Sequence, residues 1–174
     1  MKKQKIVCFR SGGFTLVELL VVIAIISILT VISVAQFNTA KMKARDVQRK
    51  GDIDGVRKAL NMYYTDHEMF PSADEINGYL AGGGEFVDSD GYVYIKEVPT
   101  EKTSGRNPYC YEVLLDARGN PNMYALYSEL ENENDGDYRK YDSVNGYSCT
   151  NGGVGRDYDY VIYSPNAGRN EFND

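Results

Sequence analysis

The chain has 174 residues, of which 43% are apolar and 25% charged, and its 25 acidic against 19 basic residues leave a formal charge of −6. That length suits one small domain beside a membrane-length apolar run, and the acidic balance excludes the concentrated basic surface that nucleic-acid binding needs. With one histidine, no tryptophan and no G-x-S-x-G, S-x-x-K or H-E-x-x-H pattern, the chain does not read as an enzyme, although Cys110 or Cys149 with His67 can be drawn as a nucleophile and base.

Residues 1–13 carry Lys2, Lys3, Lys5 and Arg10 without an acid and end in Ser11-Gly12-Gly13. Phe14 to Val34 follows, 21 residues whose only charge is Glu18, long enough as a helix to cross a hydrocarbon core of about 30 Å. An ionised acid near the middle of a bilayer costs roughly 2.5 to 3.5 kcal/mol, so Glu18 requires compensation. Three processing routes fit the pattern: an uncut anchor that keeps residues 1–13, a signal peptide cut after Ser33-Val34-Ala35, or a leader cut on the cytoplasmic side before Phe14. Charge does not orient the span, because Lys41, Lys43, Arg45, Arg49 and Lys50 follow it almost as densely as the leader cations precede it.

The run Gly13-Phe14-Thr15-Leu16-Val17-Glu18-Leu19-Leu20 resembles the leader junction of type IV pilins and type II secretion pseudopilins. The resemblance implies that a prepilin peptidase cuts between Gly13 and Phe14 and methylates the new Phe14 amine, and that Glu18 is the carboxylate of assembly. A new cationic amine four residues before Glu18 supplies the countercharge that makes its burial tolerable. The implied division is a leader at 1–13, a membrane and filament-core helix at 14–35, an amphipathic continuation at 36–70 and an exported α+β head at 71–174. The implied setting is the inner membrane, crossed once with the N-terminus cytoplasmic. Lipid would surround the helix before assembly; afterwards the partners are copies of the same chain, with the assembly platform and minor pseudopilins. Loss of the four leader cations from the 19 in the chain leaves 15 basic residues against 25 acidic ones, a formal −10. Two further functions stay open: a pilus subunit for adhesion, motility or DNA uptake, and a membrane-anchored binding module that never polymerises.

Beyond the span no proline occurs before Pro71, so the helix is expected to continue. Ile53, Val56, Leu60, Tyr63 and Tyr64 form an apolar stripe of helical period, whereas Lys41 to Lys50 is polar and reads as an exposed neck. Gly51 and Gly55 are points of bending, close packing or plain tolerance. Ser72-Ala73-Asp74-Glu75 has the form of a capping box, predicting a short helix from Ala73 to Leu80 that ends at Gly82-Gly83-Gly84. Glu85 to Val98 reads as a loop with a strand at Tyr92–Ile95. Tyr109–Leu115 and Met123–Leu130 flank the polar turn Asp116–Pro121 as a hairpin, and a third strand, Tyr158–Tyr163, follows a long polar loop. The fold is therefore α+β, a long N-terminal helix packed against an antiparallel sheet of three or four strands. Residues 92–132 extend the pseudopilin resemblance, with one departure at Thr100-Glu101-Lys102, where that family commonly has Asp-Pro.

Cys110 and Cys149 remain after loss of the leader with its Cys8, and they form either a disulfide, as an oxidising compartment allows, or two separate buried thiols. Glu131, Glu133, Asp135, Asp137 and Asp142 make one acidic loop. Calcium takes six to eight oxygen ligands from such a loop, and the pseudopilin resemblance points the same way. The spacing is not that of an EF-hand, and a solvated acidic loop is the alternative. All 15 tyrosines lie beyond the span; Tyr63, Tyr109, Tyr111, Tyr124, Tyr160 and Tyr163 fall at expected core positions.

Overall fold

The computed structural model describes residues 13–139, 147–151 and 154–167. Two compact units divide it, residues 1–41 and 42–174, and helix α1 (Leu16–His67, 52 residues) contributes to each. In the first unit every described side chain is exposed, and this part of α1 is long and apolar enough to cross a membrane. Its hydroxyls are satisfied within the helix. Ser27, Thr30 and Ser33 donate to the carbonyls of Ile23, Ile26 and Leu29 at 2.7, 2.7 and 2.9 Å, so none of these three donors is left to hydrocarbon.

In the second unit the expected stripe of α1 is buried at Ile53, Val56 and Leu60, with Ala59 beside them, and half-buried at Tyr63, whereas Tyr64 stays 37% exposed. The helix stops where Glu68 takes φ 58°, the one non-glycine residue at positive φ among those described, and Pro71 follows. Val47 points outward at 70% exposure, and a Cβ at Gly51 or Gly55 would meet nothing within 4 Å, so neither glycine is there for close packing. The neck is exposed at Lys41, Lys43, Ala44, Val47 and Gln48, but one face of it is not. Asp46 and Arg49 are 1% and 3% exposed, because acidic partners distant in sequence cover this face of the helix.

Helix α2 (Ala73–Gly82) starts at Ser72, whose Oγ accepts from the Glu75 amide, and runs two residues past the expected end. Gly83 and Gly84 then take φ 74° and 103°, a backbone that favours glycine. Instead of a loop with one strand, residues 85–98 form a small ribbon, β1 (Phe86–Val87) paired with β2 (Val93–Ile95). The predicted hairpin is β3 (Cys110–Leu115) and β4 (Pro121–Ser128). The long polar loop contains a second hairpin, β5 (Tyr147–Asn151) and β6 (Val154–Tyr158). The expected strand at 158–163 is broken at Asp159, so that β7 is Tyr160–Tyr163. The main sheet is antiparallel in the order β3-β4-β7.

Strand alternation gives this sheet two apolar faces. Tyr111, Tyr124 and Leu126 face the core built with α1 and α2, joined by Val113, Tyr160 and Ile162. Cys110, Ala125 and Tyr127 face the other way, packing with Cys149, Tyr158, Val161 and Tyr163. Tyr163 thus lies outside the helix-facing core in which it was expected. Along β3, Asn77 of α2 donates to the Tyr111 carbonyl and accepts from its amide, both at 2.8 Å. A side-chain amide thereby closes one link of an otherwise open sheet edge.

Candidate functional site

Gly13 and Phe14 precede α1 and are exposed, Phe14 at 87%, so the bond between them is open to a peptidase. A Cβ on Gly13 would meet nothing within 4 Å; the chain's own packing does not demand glycine there. Residues 1–12, the rest of the expected leader, lie outside the described residues.

Glu18 is held by its own helix terminus. The Thr15 amide and hydroxyl donate to Glu18 Oε2 at 3.0 and 2.9 Å, and the Glu18 amide approaches Thr15 Oγ1 at 3.2 Å. Thr15 and Glu18 therefore stand at the N-cap and N3 positions of a capping box. The carboxylate also sits where the helix dipole favours negative charge, by about 0.3 to 1 kcal/mol. Thr15 was missed as a functional residue, although Thr15-Leu16-Val17-Glu18 has the S/T-x-x-E form that carries the signal.

A second polar centre binds α1 to the loops of the head. Arg49 donates from Nε to Glu101 at 2.6 Å, from Nη1 to Asp46 at 2.8 Å and from Nη2 to Thr103 at 2.9 Å, and it lies 2.8 Å from Glu131. Arg45 grips both oxygens of Glu131. The bond from Arg45, against a smaller opposing effect of burial, holds the Glu131 carboxyl down at about 2. Three successive amides are then taken up by buried carboxylates: Leu130 by Asp159 at 2.6 Å, Glu131 and Asn132 by Asp46 at 2.9 and 2.8 Å. Burial pushes Asp159 up to about 6 despite its bond from Leu130.

The acidic loop is engaged with cations of the same chain. Asp135 and Asp137 bond Lys50 Nζ at 2.5 and 2.7 Å, and the bond from Lys50 keeps Asp135 below the usual carboxylate range. Glu133 is exposed, while Asp142 lies outside the described residues. Among the described residues no group of three or more His, Cys, Asp or Glu side chains is placed to hold a metal. Glu131, Asp135 and Asp137 are engaged by arginine and lysine, so nothing among the described residues supports calcium in this loop. Cys110 and Cys149 are bonded, with Cα atoms 6.4 Å apart, tying β5 to β3.

At the end of α1, His67 Nε2 lies 3.2 Å from Asp88 Oδ2. Tyr94 donates to Asp66 at 2.9 Å, with its hydroxyl 3.2 Å from both His67 and Asp88. His67 is thus far along the chain from the disulfide and occupied with the β1–β2 ribbon.

A family model for the prokaryotic N-terminal methylation motif matches residues 8–34. Type II secretion system core protein G of Pseudomonas aeruginosa is 30% identical over 141 residues, covering 77% of this chain and 97% of that protein. The protein of the same name from Aeromonas hydrophila is 33% identical over 105 residues, 58% of this chain and 71% of its own. The type IV major pilin protein PilE of Neisseria gonorrhoeae is 29% identical over 89 residues, 51% of this chain and 50% of the pilin. No solved structure matches the chain. A methylation motif laid over the capped, apolar start of α1, with similarity running nearly the full length of a core protein G, leaves one assignment: the chain belongs to the family of type II secretion system core protein G.

Proposed function

We propose that this chain is the major pseudopilin of a type II secretion system, a structural subunit that polymerises into a filament acting in protein export. The observation that carries the reading is the fully exposed apolar segment of α1 headed by the Thr15–Glu18 box. Lipid covers that surface in the single-pass precursor, with the N-terminus cytoplasmic and the head exported. After a prepilin peptidase cuts between Gly13 and Phe14 and methylates Phe14, copies of the same helix cover it in the filament. Heterologous contacts that do not close produce such an open array.

Glu18 sets the register between copies. Its Oε2 is held by Thr15, and the carboxylate faces the methylated Phe14 amine of a neighbour, because an unpaired acid inside a helix bundle is heavily penalised. The partners that act on the subunit are the peptidase, the assembly platform and the minor pseudopilins.

The test has two parts. Mass spectrometry of the mature chain is expected to find N-methyl-Phe14; a terminus at Gln36 or Met1 refutes the proposal. Glu18→Ala is expected to be processed normally and to lose at least about tenfold in filament yield, since a buried ion pair missing one member costs roughly 3 to 5 kcal/mol. Unchanged yield removes Glu18 from the mechanism. The similarity to the Neisseria pilin over half of this chain favours a second reading as a pilus subunit, which long surface filaments in the absence of a secretion defect on deletion would establish.

A further inference from the structure

Two surfaces at opposite ends of the head portion of α1 carry complementary chemistry. The first is a cleft of about 130 Å³ between the start of that portion and residues 100–103, lined by Arg45, Gln48, Arg49, Asp52, Glu101 and Lys102 among others. Its buried groups are matched internally. Arg49 is bonded to Glu101 and Thr103, and Tyr109 donates to Asp52 at 2.9 Å. Donors are left at the mouth: Lys102 and Gln48 are exposed, and no bond engages either side chain among the described residues. The lining carries three cations against two acids, in a subunit whose mature formal charge is −10.

The second surface is the corner where α1 meets the β1–β2 ribbon. Asp66 accepts from Tyr94, and Asp88 is tied to both Tyr94 and His67; Glu68 follows His67 in the chain, and the Asp90 amide donates to Asp88 at 3.0 Å. Glu68 and Asp90 are exposed, and no cation or hydroxyl engages their carboxylates among the described residues. Tyr92 and Val93 stand beside them, 53% and 42% exposed. Gln48 and His67 are 19 residues apart on one helix, about 28 Å at 1.5 Å per residue. The two surfaces therefore cannot meet within one molecule.

We propose that the corner bearing Glu68 and Asp90 of one subunit docks on the cleft mouth bearing Lys102 and Gln48 of another copy. The inference rests on the filament reading above and names the contact between heads within it. Different patches on one molecule, far apart, make a heterologous contact that propagates without closing. Strongly acidic subunits repel one another, and setting the unspent donors of one head against the unspent acids of the next offsets that repulsion where the copies touch.

The test uses the full chain expressed with its own secretion machinery, with sheared filament measured against membrane-held subunit. Lys102→Glu and Asp90→Lys are each expected to cut filament yield at least about tenfold, because like charges set together across an interface cost several kcal/mol, and the double charge swap is expected to restore it. Lys102→Cys with Asp90→Cys is expected to give a ladder of oxidised multimers in the filament, and neither single cysteine to do so. Unchanged levels of processed subunit and of the Cys110–Cys149 bond separate these effects from misfolding. If the unaltered chain assembles while the charge reversals are silent, the swap fails to rescue or the ladder is missing, the docking contact is wrong and the filament reading stands. If the unaltered chain makes no filament, both fall.

Discussion

Glu18 was readable as an anomaly because one acid in an apolar run needs a reason, and the S/T-x-x-E spacing from Thr15 supplies part of it. Arg49 was not readable in the same way. Its partners Glu101 and Glu131 lie 52 and 82 positions further on, and a polar stretch without helical periodicity looks solvated when the acids that bury it are distant. Asp159 was hidden too, within what reads as one continuous strand. Its carboxyl, raised from 3.8 to about 6 by burial, binds a proton in the folded chain before the unfolded chain does. Stability from this group therefore rises as pH falls, by about 1 kcal/mol between pH 7 and 5 and by about 3 kcal/mol once pH lies below the unfolded value of 3.8. Glu131 acts with the opposite sign: held at about 2, its contribution is present above the unfolded value of 4.5 and fades as pH drops through that range. The melting temperature of the detergent-solubilised chain is expected to peak near pH 5, and Asp159→Asn, which keeps an acceptor for the Leu130 amide, is expected to abolish the loss on going from pH 5 to 7.

Among the elements, the β3–β4 hairpin was legible because its strands are adjacent in sequence and its turn residues polar, with only the strand ends displaced. The β5–β6 hairpin was not, since Ser148, Thr150, Asn151 and Arg156 mask any apolar alternation; the Gly152-Gly153 pair between two short segments was the available cue. Helix α2 was legible from its cap, but its role was not, because the decisive residue is Asn77, 34 positions from Tyr111. Asn77→Leu keeps the volume and leaves the amide and carbonyl of Tyr111 unbonded in a buried site. The expected cost is about 2 to 4 kcal/mol, read as a lowered urea midpoint; an unchanged midpoint would mean that the sheet edge is closed by something else.

At the scale of the molecule, α+β was legible from order alone, an apolar helix followed by short strands. The double-faced sheet was not, because the second layer belongs to the hairpin hidden in polar sequence. The head is drawn together by Arg49, whose guanidinium gathers Asp46, Glu101 and Glu131. Burial alone would lower its pKa, but the bonds from Glu101 and Glu131 raise it above its ordinary value, so it stays charged throughout. Arg49→Met leaves Asp46 and Glu101 without a cation in a buried site, while Arg45 still holds Glu131, and is expected to destabilise the head by about 3 to 5 kcal/mol, with protease cutting appearing first in residues 129–137. The central strand β4 carries a different consequence. Tyr124 and Leu126 lie in one core, Ala125 and Tyr127 in the other, all at 1% exposure or less. Consecutive positions there answer to different neighbours, one set on the helices and one on the disulfide-tied hairpin. Such a strand has little freedom to drift over evolutionary time, and a substitution at one of its residues calls for compensation on one side of the sheet while leaving the other untouched.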